Sequence, residues 1–182
     1  MNDRESLAAL LRERSISFGD FRLASGLQSP YYIDARKTTM SAQGQVLIGR
    51  LGLTAIREAG WAPVAVGGLT LGADPMASAI ARASVDSPPL IQAFSVRKAA
   101  KQHGTGRRIE GNFNPGDRVV VLEDVITTGG SALEAIAAIQ LEGGEVIGVI
   151  GLVDRGQGGA TAIEGAHGIR VVVITTTIAL GL

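Results

Sequence analysis

A chain of 182 residues, 46% of them hydrophobic, is long enough to bury a core as a single domain, and at 4% aromatic that core must be built from Ala, Val, Ile and Leu. The 17 basic residues balance 17 acidic ones, so nothing in the overall charge points to nucleic acid or to an anionic membrane surface. The absence of cysteine excludes disulfides and thiolate metal sites, and no run approaches the ~20 apolar residues of a membrane span.

The first helix begins at Asn2 or Asp3, either of which can cap it, and carries Leu7, Leu10 and Leu11 on one face. This charged N-terminal stretch lacks the apolar core of a signal peptide, and the expected location is the cytoplasm. "ISFGDFRLASGLQSPYYIDARK" follows, rich in Gly, Ser and aromatics, and reads as a hairpin or irregular β unit outside the main core. Ser41 is placed to start a long helix with Val46, Leu47, Leu51 and Ile56 on its apolar face, and Gly60 to end it. From there short apolar strands at 64–66, 90–96, 119–122, 146–153 and 169–174 alternate with helical stretches near 73–84, 132–142 and 160–166. Such alternation means βαβ units, a parallel sheet, and a ligand edge at the strand C-termini. One polar, basic, glycine-containing stretch, 97–117, is expected to be a functional loop.

The chemistry concentrates in "VVVLEDVITTGGSALEA". An apolar strand ends at Glu123 and Asp124, and a turn of Thr127, Thr128, Gly129 and Gly130 leads into a helix. Ser131 and Glu134 have the spacing of a capping box, which would start that helix at Ala132. The glycine turn offers converging backbone N–H groups beside the positive end of a helix dipole, and hydroxyls add neutral donors: an anion cradle. Two carboxylates beside it would repel a lone phosphate. A ligand with both a phosphate and a diol, such as a ribose 5-phosphate, reconciles the two. The bland alternative, in which Asp124 caps a turn that the glycines merely permit, explains single residues but not the ordered set at a strand end.

Other phosphate and metal motifs are missing. No G-x-x-x-x-G-K-[ST] occurs, "GTGRRI" at Gly104 follows no strand, and two distant histidines do not make a zinc site; His167 reads as structural. Arg97, Lys98 and Lys101 place three cations in one loop, suited to a leaving group with several negative charges, although a solvated basic loop is a common alternative.

The motif "EDVITTGGS" resembles the phosphoribosyl diphosphate (PRPP) motif of the type I phosphoribosyltransferases, in the form closest to orotate phosphoribosyltransferases. "FRLASGLQSPYYID" is similar to that family's N-terminal hood, "RKAAKQHGTG" to its catalytic loop, "GGLTLGAD" to its diphosphate segment and "VDRGQGG" to its D-R segment, all in family order. The resemblance implies an α/β fold: a parallel-sheet type I phosphoribosyltransferase core flanked by helices, with a small N-terminal hood over about 1–40, all in one domain spanning 1–182. It implies transfer of phosphoribosyl from PRPP to orotate, giving orotidine 5′-monophosphate and diphosphate. Glu123 and Asp124 would hold the ribose hydroxyls, Thr127, Thr128, Gly129, Gly130 and Ser131 the 5-phosphate, and Val125 and Ile126 would also contact PRPP. Arg97, Lys98, Lys101 and His103 would close over the diphosphate, with Lys101, His103 and Asp124 catalytic. Thr127 and Arg155 would face orotate; a local ion pair with Asp154 is the bland reading of Arg155. Mg2+ would arrive held mainly by PRPP, and a homodimer would share the catalytic loop between subunits. Ala24 and Gly72 stand where some members carry lysine. Two rivals remain: transfer to a purine base, which the hood stretch opposes, and a PRPP sensor without catalysis, which the retained loop cations oppose.

Overall fold

The computed structural model describes residues 2–22, 28–99 and 108–182. Helix α1 (Asp3–Arg14) is capped by Asn2, whose side chain accepts from the Glu5 N–H while the Glu5 carboxylate accepts from the Asn2 N–H. Its Leu7 and Leu11, one turn apart, are buried. Antiparallel strands β1 (Ile16–Arg22) and β2 (Gln28–Ile33) form a separate two-stranded hood. A one-turn helix α2 (Arg36–Thr39) links it to α3 (Ala42–Glu58), where the Ser41 hydroxyl accepts from the Gly44 N–H.

Helix α3 differs from expectation at Val46, which faces outward, 52% exposed. The buried face is centred on Ile48, Leu51, Ala55 and Ile56, and two residues are about 200° of helix rotation, so a side chain at 46 lies opposite to 48.

The remaining elements are β3 (Ala65–Leu69), α4 (Ala73–Asp86), β4 (Gln92–Val96), β5 (Ile109–Gly111), β6 (Arg118–Ile126), α5 (Gly130–Leu141), β7 (Glu145–Asp154), α6 (Gly159–His167) and β8 (Val171–Thr176). They form one sheet in the order β5-β4-β3-β6-β7-β8, parallel except for β5. Strand β5 corrects the reading of 97–117 as loop throughout: Ile109 to Gly111 pair with Phe94 to Val96, and Ile109 buries its side chain. Three residues with one apolar side chain give no strand periodicity, so only the pairing defines it.

Alternation along the strands sorts side chains onto two covered faces. Val120, Leu122, Ile150 and Leu152 pack with α1, α3 and α4, whereas Val119, Val121 and Val149 pack with α5 and α6. At the strand N-termini, the Trp61 indole packs directly over Gly148 of β7, where a side chain would have no room. Strand β6 runs four residues past the apolar run 119–122, because β7 continues to pair with it as far as Ile126 opposite Asp154. Glu123 and Asp124 therefore stand on the final rungs of a strand.

Candidate active site

The C-terminal ends of β3 and β6 meet the end of the hood around a cleft of about 260 Å³. Tyr32, Asp34 and Arg36 line it from the hood side, Thr70, Leu71 and Gly72 from the β3–α4 turn, and Glu123, Asp124, Val125 and Ser131 from β6 and α5. A larger groove of about 590 Å³ between α3 and α4 lacks both an acidic pair and a glycine turn, so chemistry rather than size selects the cleft.

Burial pushes the Glu123 carboxyl up to about 8, assisted by the negative charge of Asp124 and opposed by Lys98. Asp124 is also raised by burial, against the Val125 N–H, which donates to its Oδ1 at 3.0 Å, and against the charge of Arg36. Two carboxylates held at an electrostatic disadvantage in a cleft mark a site suited to hydroxyl donors and cations.

The turn after them corrects one sequence reading. Gly129 adopts φ +85° and starts α5 at Gly130, with no side-chain capping bond, so the Ser131–Glu134 capping box does not form. A side chain at Gly129 would also approach the Gly159 carbonyl at 2.9 Å. Because the left-handed glycine turns the chain early, Ser131 falls inside the first helical turn and lines the cleft. Glu134 instead accepts from the Arg108 guanidinium at 2.5 Å. The first N–H groups of α5 thus lack a side-chain cap, which favours an anion at that end.

Arg155 follows β7. Its N–H donates to the Ile126 carbonyl at 3.0 Å, tying it to the end of β6. Its side chain, buried, donates from Nη2 to Ser29 Oγ at 3.2 Å and lies 4.7 Å over the Tyr31 ring. The Nε–H is buried without a partner among the described residues, a costly state for a guanidinium that an acceptor on a ligand would relieve. Asp154 accepts from the Gly156 N–H at 2.9 Å, a turn contact in place of the local ion pair.

Not every expected residue reaches the cleft. Lys98 lines it, whereas Arg97 lies 3.5 Å from Glu110 of β5. Thr127 is half-buried and Thr128 and Gly130 are exposed on the turn, but the Ile126 side chain belongs to the core. Lys101, His103 and Ala24 lie outside the described residues. Sequence reasoning gave no role to Ser29, Asp34 or Arg36. A polar residue within or just after a strand is too common to single out, and only the packing of hood on sheet places them here.

Residues 43–172 match the family model of the phosphoribosyl transferase domain. The orotate phosphoribosyltransferase of Aquifex aeolicus is 51% identical over 168 residues, 90% of each chain. A crystal structure of Mycobacterium tuberculosis H37Rv orotate phosphoribosyltransferase in complex with Fe(III) dicitrate matches with TM-score 0.88 and 48% identity, covering 100% of both chains. The complex of the M. tuberculosis enzyme with PRPP matches with TM-score 0.84 and 44% identity over the same coverage. The half-buried acidic pair, the glycine-started helix and identity at this level across nearly the whole length lead to one conclusion: this chain belongs to the phosphoribosyltransferase family, among its orotate phosphoribosyltransferases.

Proposed function

We propose that the protein transfers phosphoribosyl from PRPP to orotate, releasing diphosphate and forming orotidine 5′-monophosphate. The observation that carries this is the half-buried Glu123–Asp124 pair beside the uncapped start of α5, which offers diol acceptors and an anion cradle at one strand end. Glu123 and Asp124 accept from the ribose hydroxyls. The turn and helix start from Thr127 to Ser131 receive the 5-phosphate, and Val125 and Ile126 at the end of β6 also border PRPP, Ile126 through its backbone only. Lys98 faces the diphosphate, and Arg97, Lys101 and His103 complete its enclosure when the loop closes, with Lys101 and His103 acting on the leaving group.

Bond breaking at the anomeric carbon builds positive charge on the ribose, and the nearby carboxylates stabilise it without forming a covalent adduct. Orotate is a flat ring bearing a carboxylate; a buried guanidinium with an unpaired N–H over Tyr31 suits it better than it suits a neutral purine. Thr127, on the turn between that guanidinium and the phosphate cradle, is assigned to the same ligand.

Among the described residues, no three His, Asp or Glu side chains are grouped to hold a metal. The oxygen donors Glu123 and Asp124 would suit a hydrated Mg2+ entering on PRPP, which would supply charge neutralisation to the diphosphate when bound. We further assign a cytoplasmic enzyme of one domain and a homodimer in which the 97–117 loop serves the partner's site. Among the described residues, no helix is long and apolar enough to cross a membrane.

Mixing the protein with orotate, PRPP and Mg2+ tests the reaction through loss of orotate absorbance with matching diphosphate release. Turnover that requires all three supports the transfer. PRPP binding without turnover would favour a sensor, and turnover of a purine base instead would reassign the acceptor.

A further inference from the structure

Asp34 and Arg36, at the hood end, form a tightly geared charge pair. Arg36 donates from Nε to Asp34 Oδ1 at 2.8 Å and from Nη2 to Oδ2 at 3.3 Å, and its backbone N–H also donates to Oδ1 at 3.3 Å. The Asp34 side chain is 21% exposed and that of Arg36 45%. An exposed pair between near neighbours contributes little to stability. What distinguishes this one is its place, since both residues line the cleft together with Glu123 and Asp124.

The β3–α4 turn of the same cleft is constrained in the opposite sense. A Cβ on Gly72 would come within 2.5 Å of Asp124 Oδ1 and 2.8 Å of Asp124 Cγ. A side chain at Gly72 would therefore require the Asp124 carboxylate to move. Thr70, Leu71 and Gly72 themselves bring no cation. Among the described lining residues, the positive charges are Arg36 and Lys98, set against the carboxylates of Asp34, Glu123 and Asp124. Asp34 fixes the orientation of the guanidinium through two nitrogens, and Nη1 makes no hydrogen bond among the described residues. The charge of Arg36 is felt at Asp124, which places the two groups within electrostatic reach of each other. A preorganised guanidinium matches paired phosphate oxygens better than a flexible ammonium does.

We infer that Arg36, steadied by Asp34, is the fixed cation that receives the diphosphate end of PRPP, in a cleft whose β3–α4 turn carries no cation of its own. Asp34 is then a positioning residue, acting through Arg36. This assignment rests on the transfer function proposed above.

Titration calorimetry with three probes tests it: PRPP, diphosphate with Mg2+, and orotidine 5′-monophosphate, which has the 5-phosphate and base but no diphosphate. Arg36→Ala should bind PRPP and diphosphate at least tenfold more weakly while binding orotidine 5′-monophosphate as the wild type does. Arg36→Lys should recover part of the loss. Asp34→Asn should weaken diphosphate binding less than Arg36→Ala does. Unchanged diphosphate and PRPP binding in Arg36→Ala would overturn the assignment, as would an equal loss for orotidine 5′-monophosphate, the mark of a general lesion in the hood. Failure of the wild type to bind PRPP would instead overturn the transfer function beneath it.

Discussion

The cleft has two walls built on different plans. One is continuous in sequence: from Glu123 to Ser131 a single strand, turn and helix start provide acidic groups, backbone donors and hydroxyls. The other is assembled from afar. Arg155 at the end of β7 reaches Ser29, 126 positions earlier, and Tyr31 of the hood, while Asp34 and Arg36 close the rim. The local wall is polar by virtue of backbone geometry, which the chain fixes wherever Gly129 takes its left-handed conformation. The assembled wall depends on the hood docking correctly, so its chemistry is only as firm as the packing between two sheets. The function proposed above gives the sugar phosphate to the first kind of wall and recognition of the base to the second.

The sharpest way to break this division is Asp124→Asn. It keeps the side chain's size at the strand end but replaces one acceptor oxygen with an N–H donor and removes the charge, and kcat/KM should fall about 100-fold or more with the fold intact. Near-normal activity would mean that the local wall does not act on the ribose.

Glu123 adds a test in pH. Its carboxyl is raised from 4.5 to about 8 in the folded protein, with burial the main cause. An acid with a raised value favours the folded state while protonated, and that advantage disappears as pH climbs from about 4.5 through about 8. Relative to the wild type, Glu123→Gln should therefore gain stability over this window and hold the gain above it. Urea unfolding at pH 5 and pH 9 measures the difference; equal offsets at both would show that the carboxylate is not strained by its site.

On the assembled wall the expected effect is smaller and selective. Arg155→Lys keeps the charge but loses the planar fork over Tyr31, and should raise the KM for orotate about tenfold while PRPP binding stays as it was. Parallel losses for both substrates would show that the hood and the local wall are not separable.

The weakest effect belongs to Glu134. As half of a capping box it would be worth about 1 kcal/mol, but as the exposed partner of Arg108 it should cost about 0.5 kcal/mol on Glu134→Ala. A double-mutant cycle with Arg108→Ala decides between the two, since a cap would leave no coupling.

How much of this was legible in the chain follows the same division. The alternation of strands and helices, the Asn2 and Ser41 caps and the Glu123–Gly130 cluster are all local signals, and each is found where the sequence places it. The misread features depend on neighbours. Ser131 and Glu134 have capping spacing, but the glycine before them moves the helix start, and Arg108, 26 positions away, claims the carboxylate. Val46 is apolar and near the right period yet points outward, because the register of α3 is set by its fit against the sheet and α4. β5 exists only by pairing with β4, and Ser29, Asp34 and Arg36 acquire significance only once the hood folds over the strand ends.

Trp61 adds a practical consequence. It is the sole tryptophan of the chain and sits against Gly148 at the strand N-termini, the pole opposite the cleft, whereas Tyr31 and Tyr32 stand by the cleft itself. Its fluorescence should therefore report on the packing of the sheet at the end away from the cleft, giving unfolding a native signal without an added label.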